Sequence, residues 1–329
     1  MEREWKDKIL NLTEAEFLPA ALWLFEHQYQ NNAFYRQYVD LLGVNVHQVT
    51  QLEQIPFLPI RFFKSAVIKT GQWQEQQIFA SSGTTGSINS RHFVRDLSIY
   101  EASFRKGFEL FYGDVRDYCV LGLLPNYLER GQSSLVYMVN DLINRSKHPD
   151  SGFYLYDFGQ LNQTLNKLKA QNQPTLLIGV TFALLDFAEQ YPGALPHCVI
   201  METGGMKGRK KELLRNEVHE LLKKAFKVPQ IHSEYGMTEL LSQAYATADG
   251  RFKTVPWMKC LMRADDDPLQ VSPAGSPGRG ALNIIDLANI DSCAFIATDD
   301  AVQFLSNNEF EVLGRLDNSD IRGCSLMAV

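Results

Sequence analysis

The segment Ser81-Ser82-Gly83-Thr84-Thr85-Gly86-Ser87 has the composition of an anion cradle. Gly83 and Gly86 carry no Cβ atoms, so a backbone can close on a phosphate chain there. Successive N–H groups in such a turn form an anion-binding nest, and the Ser and Thr hydroxyls add donors. The loop follows a short apolar approach, Ile78-Phe79-Ala80. No Gly-Lys-Ser/Thr closes it, so it is not a Walker A loop.

Three more groups follow in order: Thr203-Gly204-Gly205, then Tyr235-Gly236-Met237-Thr238-Glu239, then Thr298-Asp299-Asp300 with Gly314-Arg315 and Asp317. One ligand class suits all four, a nucleoside triphosphate. The pair Gly204 and Gly205 leaves a flat slot for a purine, and Tyr235 offers an aromatic face. Glu239 supplies a hard oxygen for Mg²⁺, and Asp300 an acceptor for ribose hydroxyls. Arg315 can bridge sugar and phosphate with its fork of donors. Each residue alone has a plainer reading: Tyr235 as core, Asp300 and Arg315 as solvated turn residues, the first loop as a polar turn. The ordered set is what favours the ligand.

The elements that must position these groups are legible in outline. The first 70 residues read as helical, with a capping-box pattern at Thr13 and Glu16 and an apolar face of Phe17, Ala20, Ala21, Leu24 and Phe25. Ser98 and Glu101 repeat the capping-box pattern ahead of Phe104, Phe108 and Phe111, an aromatic stripe that reads as core packing. Strands are predicted at Tyr118–Leu124, Phe153–Tyr156, Thr175–Val180, Cys198–Glu202 and Gln230–Ser233. Helices are predicted between them at Ser133–Ile143, Leu161–Ala170, Phe182–Gln190 and Lys210–Phe226. Strict alternation implies βαβ units and a mainly parallel sheet, with ligands beyond the strand ends. The motifs at 202–205 and 234–239 fall there. After Ala248 short strands and turns suggest a small β subdomain. The expected organisation is a helical segment at 1–70, an α/β nucleotide-binding core at 71–247, the β subdomain at 248–313 and a tail at 314–329.

Composition narrows the function classes. The chain has 329 residues, 45% hydrophobic and 21% charged, with a formal net charge of −6. That balance is typical of globular proteins, and no basic block argues for nucleic-acid binding. The charged N-terminus lacks a signal-peptide core and no apolar run reaches spanning length, so a cytoplasmic protein is expected. The five cysteines are scattered, which supports neither a disulfide framework nor a zinc site. Cys119, Cys198 and Cys293 sit in apolar runs and read as core thiols. Cys324 differs, because Arg322-Gly323-Cys324-Ser325 puts a thiol beside a fixed positive charge near the end of the chain.

Together these motifs resemble the adenylate-forming superfamily of acyl and aryl ligases. Within it the chain is similar to the acyl-protein synthetase family of bacterial luminescence, the fatty-acid-activating component of a fatty acid reductase. The likeness rests on Ile55-Pro56-Phe57-Leu58-Pro59-Ile60-Arg61-Phe62-Phe63-Lys64, the Ser-Ser-Gly-Thr-Thr-Gly loop, Tyr235–Glu239, and the ending Gly314-Arg315 with Ile321-Arg322-Gly323-Cys324-Ser325-Leu326. It implies an α/β large domain of mainly parallel sheets flanked by helices, with a small β subdomain. By that resemblance Ser81, Ser82, Gly83, Thr84, Thr85 and Gly86 would form the phosphate loop, and Gly204, Gly205, Tyr235 and Gly236 would line the adenine site. Thr238 would face the α-phosphate, Glu239 the Mg²⁺, Asp300 the ribose, and Arg315 the hinge side of it.

Two departures qualify the resemblance. Superfamily members follow the loop with Pro-Lys-Gly, whereas here Ser87-Ile88-Asn89-Ser90-Arg91 follows, so Arg91 is the candidate replacement cation. The chain also stops where a mobile C-terminal domain of roughly a hundred residues, bearing a catalytic lysine, is usual. The resemblance implies ATP- and Mg²⁺-dependent conversion of a carboxylic acid, fatty or otherwise hydrophobic, into an acyl-adenylate. The acyl group would then pass to a thiol, Cys324 or that of a partner, with an acyl carrier protein, CoA or an acyl reductase subunit as the expected partners. The alternatives are an acyl- or aryl-CoA ligase and a non-catalytic nucleotide-binding subunit of a reductase or biosynthetic complex.

Overall fold

The computed structural model describes residues 2–81, 88–124, 132–155, 157–204, 213–265, 267–305 and 309–316. The chain forms two compact units. The first comprises Met1–Lys106, Met237–Ser242 and Lys253–Val329; the second comprises Gly107–Gly236 and Gln243–Phe252.

In the first unit the helix Glu14–Asn31 begins at the expected capping box, where Thr13 N donates to Glu16 Oε2 at 2.9 Å. Its buried face is Phe17, Ala20, Ala21, Leu24, Phe25 and Gln28. Gln28 is polar and fully buried, so each of its groups needs a partner. Its Nε2 donates to Asn289 O at 2.8 Å and its Oε1 accepts from Ala294 N at 2.9 Å. Trp5 Nε1 donates to Leu287 O at 2.9 Å. The N-terminal helices thereby hold the turn that joins the two longest strands.

Those strands, Gly278–Asp286 and Phe295–Phe304, pair antiparallel. Met258–Arg263 and Phe310–Arg315 pair antiparallel on either side of them, and Leu58–Pro59 joins Phe295–Phe304 in parallel. Phe25, Tyr35 and Phe57 pack around Phe295 with ring centroids 6.1–6.4 Å apart. Each such buried side chain contributes about 1.5–3 kcal/mol. A two-stranded ribbon, Gln77–Ala80 with Arg91–Val94, flanks the hydroxyl-rich segment in sequence.

One expected cap is corrected. The helix Leu97–Tyr112 starts one residue before Ser98, and the cap is Asp96, whose Oδ1 accepts from Ser98 N at 2.8 Å. Aspartate at that position satisfies a free N–H of the first turn. Phe104 and Phe108 of the aromatic stripe are buried, as core packing requires.

The second unit is an α/β layer. Its strands run in the order Ala244–Ala246, His232–Tyr235, Cys198–Glu202, Thr175–Gly179, Cys119–Leu123 and Gly152–Phe153. All neighbours are parallel except the first pair. Thr175–Gly179 and Cys119–Leu123 are buried throughout, the signature of strands covered on both faces. The helices Ser134–Ser146, Phe158–Ala170, Thr181–Gln190 and Arg215–Phe226 alternate with the strands. The strand expected at Gln230–Ser233 begins and ends two residues later, at His232–Tyr235. Glu234 and Tyr235 are therefore the end of the strand rather than the loop beyond it. Both are buried, which a polar-loop reading of Glu234 does not anticipate.

Candidate active site

Ser82, Gly83, Thr84, Thr85, Gly86, Gly205 and Cys324 lie outside the described residues. The base of the hydroxyl-rich loop lies within them. Ser81 N donates to Ser90 O at 3.0 Å, and Ser90 N donates to Ser81 Oγ at 2.9 Å. This double bond-pair clamps the two ends of the loop together. Arg91 pairs with Ala80 at the start of the ribbon, is exposed, and lays its guanidinium 5.5 Å from the centre of the Phe93 ring.

The first unit also holds the Thr238-Glu239 turn, and sequence reasoning missed what fixes it. His92 Nδ1 lies 2.8 Å from Thr238 O. Because a carbonyl only accepts, Nδ1 carries the proton. Burial pushes His92 down to about 4, so it is a neutral donor. Asn289 Nδ2 donates to Glu239 O at 2.9 Å. Asp286 Oδ2 accepts from Leu241 N at 2.8 Å and from Ser242 N at 3.0 Å, while its Oδ1 accepts from Ser242 Oγ at 2.6 Å. Trp257 Nε1 donates to Ser242 Oγ at 3.0 Å and to Ser103 Oγ at 2.9 Å. A signal for this frame existed: Asp286 and Asn289 interrupt the apolar run Ile284–Ile290, and polar residues buried in such a run need partners.

Glu239 is 5% exposed. Burial raises its carboxyl above the usual range; the Ser90 hydroxyl and the charge of Arg315 pull it back, and Asp300 adds to the rise. Asp300, also buried, meets Arg315 across the antiparallel pair, with Arg315 Nε 3.1 Å from Asp300 Oδ1. The register shifts just beyond, between Ala301 and Val302. Such an irregularity re-aims the side chains next to it. Ser81, Ser90, Arg91, Thr238, Glu239, Asp300 and Arg315 thus belong to one unit.

Gly204, Tyr235 and Gly236 belong to the other. Gly204 has φ +73°, in the left-handed region, and a Cβ there would meet nothing within 4 Å. Its glycine is required by conformation, and its face is open. At Gly236 a Cβ would come 2.5 Å from Glu234 Oε1, so any larger residue would displace that carboxyl. Tyr235 is 8% exposed and packs edge-on against Phe252, 5.8 Å between centroids. The guanidinium of Arg215 lies over Phe252 at 4.8 Å.

Behind Gly204 the buried Glu202 lies against a half-buried Arg215 and a buried His219. Ser233, His219 and Glu202 have the residue types of a nucleophile, base and acid. The geometry excludes that chemistry, because Ser233 Oγ and Glu202 Oε1 both face the same nitrogen, His219 Nε2, at 3.2 and 3.7 Å. A relay needs one partner on each nitrogen. Ser233 is also fully buried.

The described cysteines are poor nucleophiles. Burial pushes Cys119 up to about 11 and Cys198 and Cys293 up to about 12, and raises Cys260 as well. Among the described residues no group of three or more His, Cys, Asp or Glu side chains could hold a metal by itself, and no helix is long and apolar enough to cross a membrane.

The fold is that of adenylate-forming ligases. The structure overlays a 2-hydroxyisobutyryl-CoA ligase, solved in complex with 2-HIB-AMP and CoA, at a TM-score of 0.65 and 12% identity, covering 93% of this chain and 75% of that one. A coronafacic acid ligase from Pectobacterium brasiliense matches over 39% of its own length with a TM-score of 0.42, too low to carry an argument. Residues 6–328 match the family described as acyl-protein synthetase, LuxE. The chain belongs to that family and is an enzyme of the adenylate-forming ligase class. It is also 24% identical over 325 residues to the long-chain-fatty-acid–luciferin-component ligase of Vibrio harveyi, covering 92% of this chain and 84% of the relative.

Proposed function

We propose that this chain joins a long-chain fatty acid, or another hydrophobic carboxylic acid, to AMP and then delivers the acyl group to a thiol. A carboxylate oxygen attacks the α-phosphorus of ATP, the bond from that phosphorus to the bridging oxygen breaks, and pyrophosphate leaves. A thiolate then attacks the acyl carbon and AMP departs. The observation that carries the reading is the set gathered in one unit: the clamped loop base at Ser81 and Ser90, the buried carboxylate of Glu239, and the Asp300–Arg315 pair.

In this reading Ser81, Ser82, Gly83, Thr84, Thr85 and Gly86 hold the phosphates, and Thr238 orients the α-phosphate. Asp300 accepts from the ribose hydroxyls while Arg315 braces its carboxylate. Gly204, Gly205, Tyr235 and Gly236 take the base. Arg91, at the foot of the loop, supplies the positive charge that a loop lysine provides elsewhere. Protein catalysis of this transfer is mainly positioning and charge stabilisation, which the residue types suit.

Mg²⁺ fits this donor set. The ion takes one or two carboxylates and draws its other ligands from phosphates and water, so it needs no cluster of protein ligands. Glu239, destabilised as an anion by burial, gains from a dication. When bound, the ion would neutralise phosphate charge; Glu239 would hold it. Cys324 is the proposed first acceptor, with a carrier protein, CoA or a reductase subunit as the later ones.

ATP–pyrophosphate exchange across a panel of carboxylic acids tests the reading. Exchange dependent on ATP and strongest with long-chain acids is the expected result. Binding of ATP with no exchange for any acid would leave only the nucleotide-binding subunit.

A further inference from the structure

Glu202 ends the strand Cys198–Glu202 and is 2% exposed. Its two carboxylate oxygens differ: Oε2 takes the hydrogen bonds, and Oε1 faces the Arg215 and His219 side without one. Oε2 accepts from Gly204 N at 2.7 Å and from Thr181 Oγ1 at 3.0 Å. Oε1 lies 3.2 Å from Arg215 Nε and 3.7 Å from His219 Nε2. Burial alone would push this carboxyl up, but His219, the charge of Arg215, Ser233 and the Gly204 N–H outweigh it and bring it down to about 2. Glu202 is therefore an anion at any working pH.

A buried ion pair adds little net stability compared with apolar side chains of the same volume. What this one does locally is hold a backbone. Gly204 sits at φ +73° with an open face, a conformation that a chain of two flanking residues does not fix by itself. The 2.7 Å bond from Gly204 N is charge-assisted and short, the strong kind. Thr181 N lies 3.5 Å from Gly204 O, a long contact, so the Glu202 bond is the main tie on the turn.

We propose that Glu202 is a positioning residue for the nucleotide base, acting through Gly204. It holds the Thr203-Gly204 turn in the shape that receives the adenine, and the charge of Arg215 favours keeping the other oxygen turned toward it. This rests on the proposed nucleotide site. A glutamine cannot replace it. Its one acceptor oxygen serves either Gly204 or the Arg215–His219 side, and its NH₂ then faces donors on the other.

The test is ATP–pyrophosphate exchange by the full chain with its best acid, wild type against E202Q, with folded fraction measured by near-ultraviolet circular dichroism. E202Q is expected to raise KM for ATP about tenfold or more, to narrow the preference for ATP over GTP, and to leave kcat per folded enzyme within about twofold. A merely structural role lowers the folded fraction and leaves both KM and base preference unmoved. If E202Q does not fold, the double substitution Glu202→Leu with Arg215→Met removes both charges together and still leaves Gly204 N without its acceptor. The same rise in KM is expected there. An unchanged KM for ATP in a folded variant of either kind overturns the proposal while the adenylation reading stands. Absence of exchange in the wild type overturns both.

Discussion

Asp300 and Arg315 stand directly opposite one another on antiparallel strands, and their side chains meet with Arg315 Nε 3.1 Å from Asp300 Oδ1. The pair is lopsided: the Asp300 side chain is 11% exposed and that of Arg315 67% exposed. An ion pair with one partner in water contributes little to stability. Its consequence is directional, since Arg315 fixes where the Asp300 carboxylate points from the middle of its strand.

Asp300→Ala is therefore expected to leave the thermal midpoint within a few degrees and to weaken ATP binding about tenfold, the loss of a charged acceptor for ribose hydroxyls. Isothermal titration with ATP checks it. An affinity equal to wild type would remove Asp300 from the site.

Glu239→Gln should fold and should slow pyrophosphate exchange about a hundredfold, with a higher Mg²⁺ requirement, because a neutral amide is a weaker ligand for the ion. Its backbone frame from His92, Asn289 and Asp286 does not involve the Glu239 side chain, which is why the fold is expected to survive. Arg91→Ala removes an exposed side chain, so its effect should fall on exchange and not on stability. Wild-type exchange in Arg91→Ala would assign the loop's charge to another cation.

The sequence carried the parts of this molecule whose causes are local. The run Thr-Leu-Leu-Ile-Gly at 175–179 is apolar from end to end and bounded by polar residues, so its strand could be placed closely. Thr13 and Glu16 cap a helix within three residues of each other. The end of His232–Tyr235 is not legible in the sequence, because burial of Glu234 depends on neighbours distant in sequence. His92 and Thr238 are 146 positions apart, and Gln28 reaches Asn289 across 261. No periodicity encodes such pairings. The motif residues were legible by type; the frame that holds them was not.

Glu234 makes a prediction about pH. Burial, with the charge of Glu202 adding to it, pushes its carboxyl up from 4.5 to about 8. The folded protein therefore keeps a proton that the unfolded chain gives up near 4.5. Between those values the folded state binds more protons, so stability falls as pH rises, and the contribution present below 4.5 is lost by about 8. The groups facing it are Glu202, Tyr112 and Gly236. Glu234→Gln, neutral throughout, should be more stable than wild type at pH 8 by on the order of a few kcal/mol. Urea denaturation at intervals from pH 5 to 8.5 measures this. Parallel stability curves for the two proteins would show that Glu234 is not a buried acid. Glu202, depressed to about 2, acts in a separate window, since its contribution is present above 4.5 and lost as pH falls toward 2.

Cys324 is predicted to carry the acyl group between adenylate and final acceptor. The thiolate is the nucleophile in such a transfer, so the acceptor needs a reachable sulfur whose proton leaves readily. Cys119, Cys198, Cys260 and Cys293 are held as thiols by burial, which argues against each of them. Cys324 has Arg322 two residues before it, a fixed positive charge close in sequence to the thiol. Incubation with radiolabelled fatty acid and ATP should leave label on the protein that hydroxylamine removes, as it does from a thioester. Cys324→Ser should lose that label and keep pyrophosphate exchange, because forming the adenylate needs no thiol. Substituting the other four cysteines together should leave the label in place, provided the variant folds. Label retained in Cys324→Ser would assign the acceptor elsewhere and leave adenylation untouched; loss of exchange along with the label would mean that Cys324 serves the first step instead.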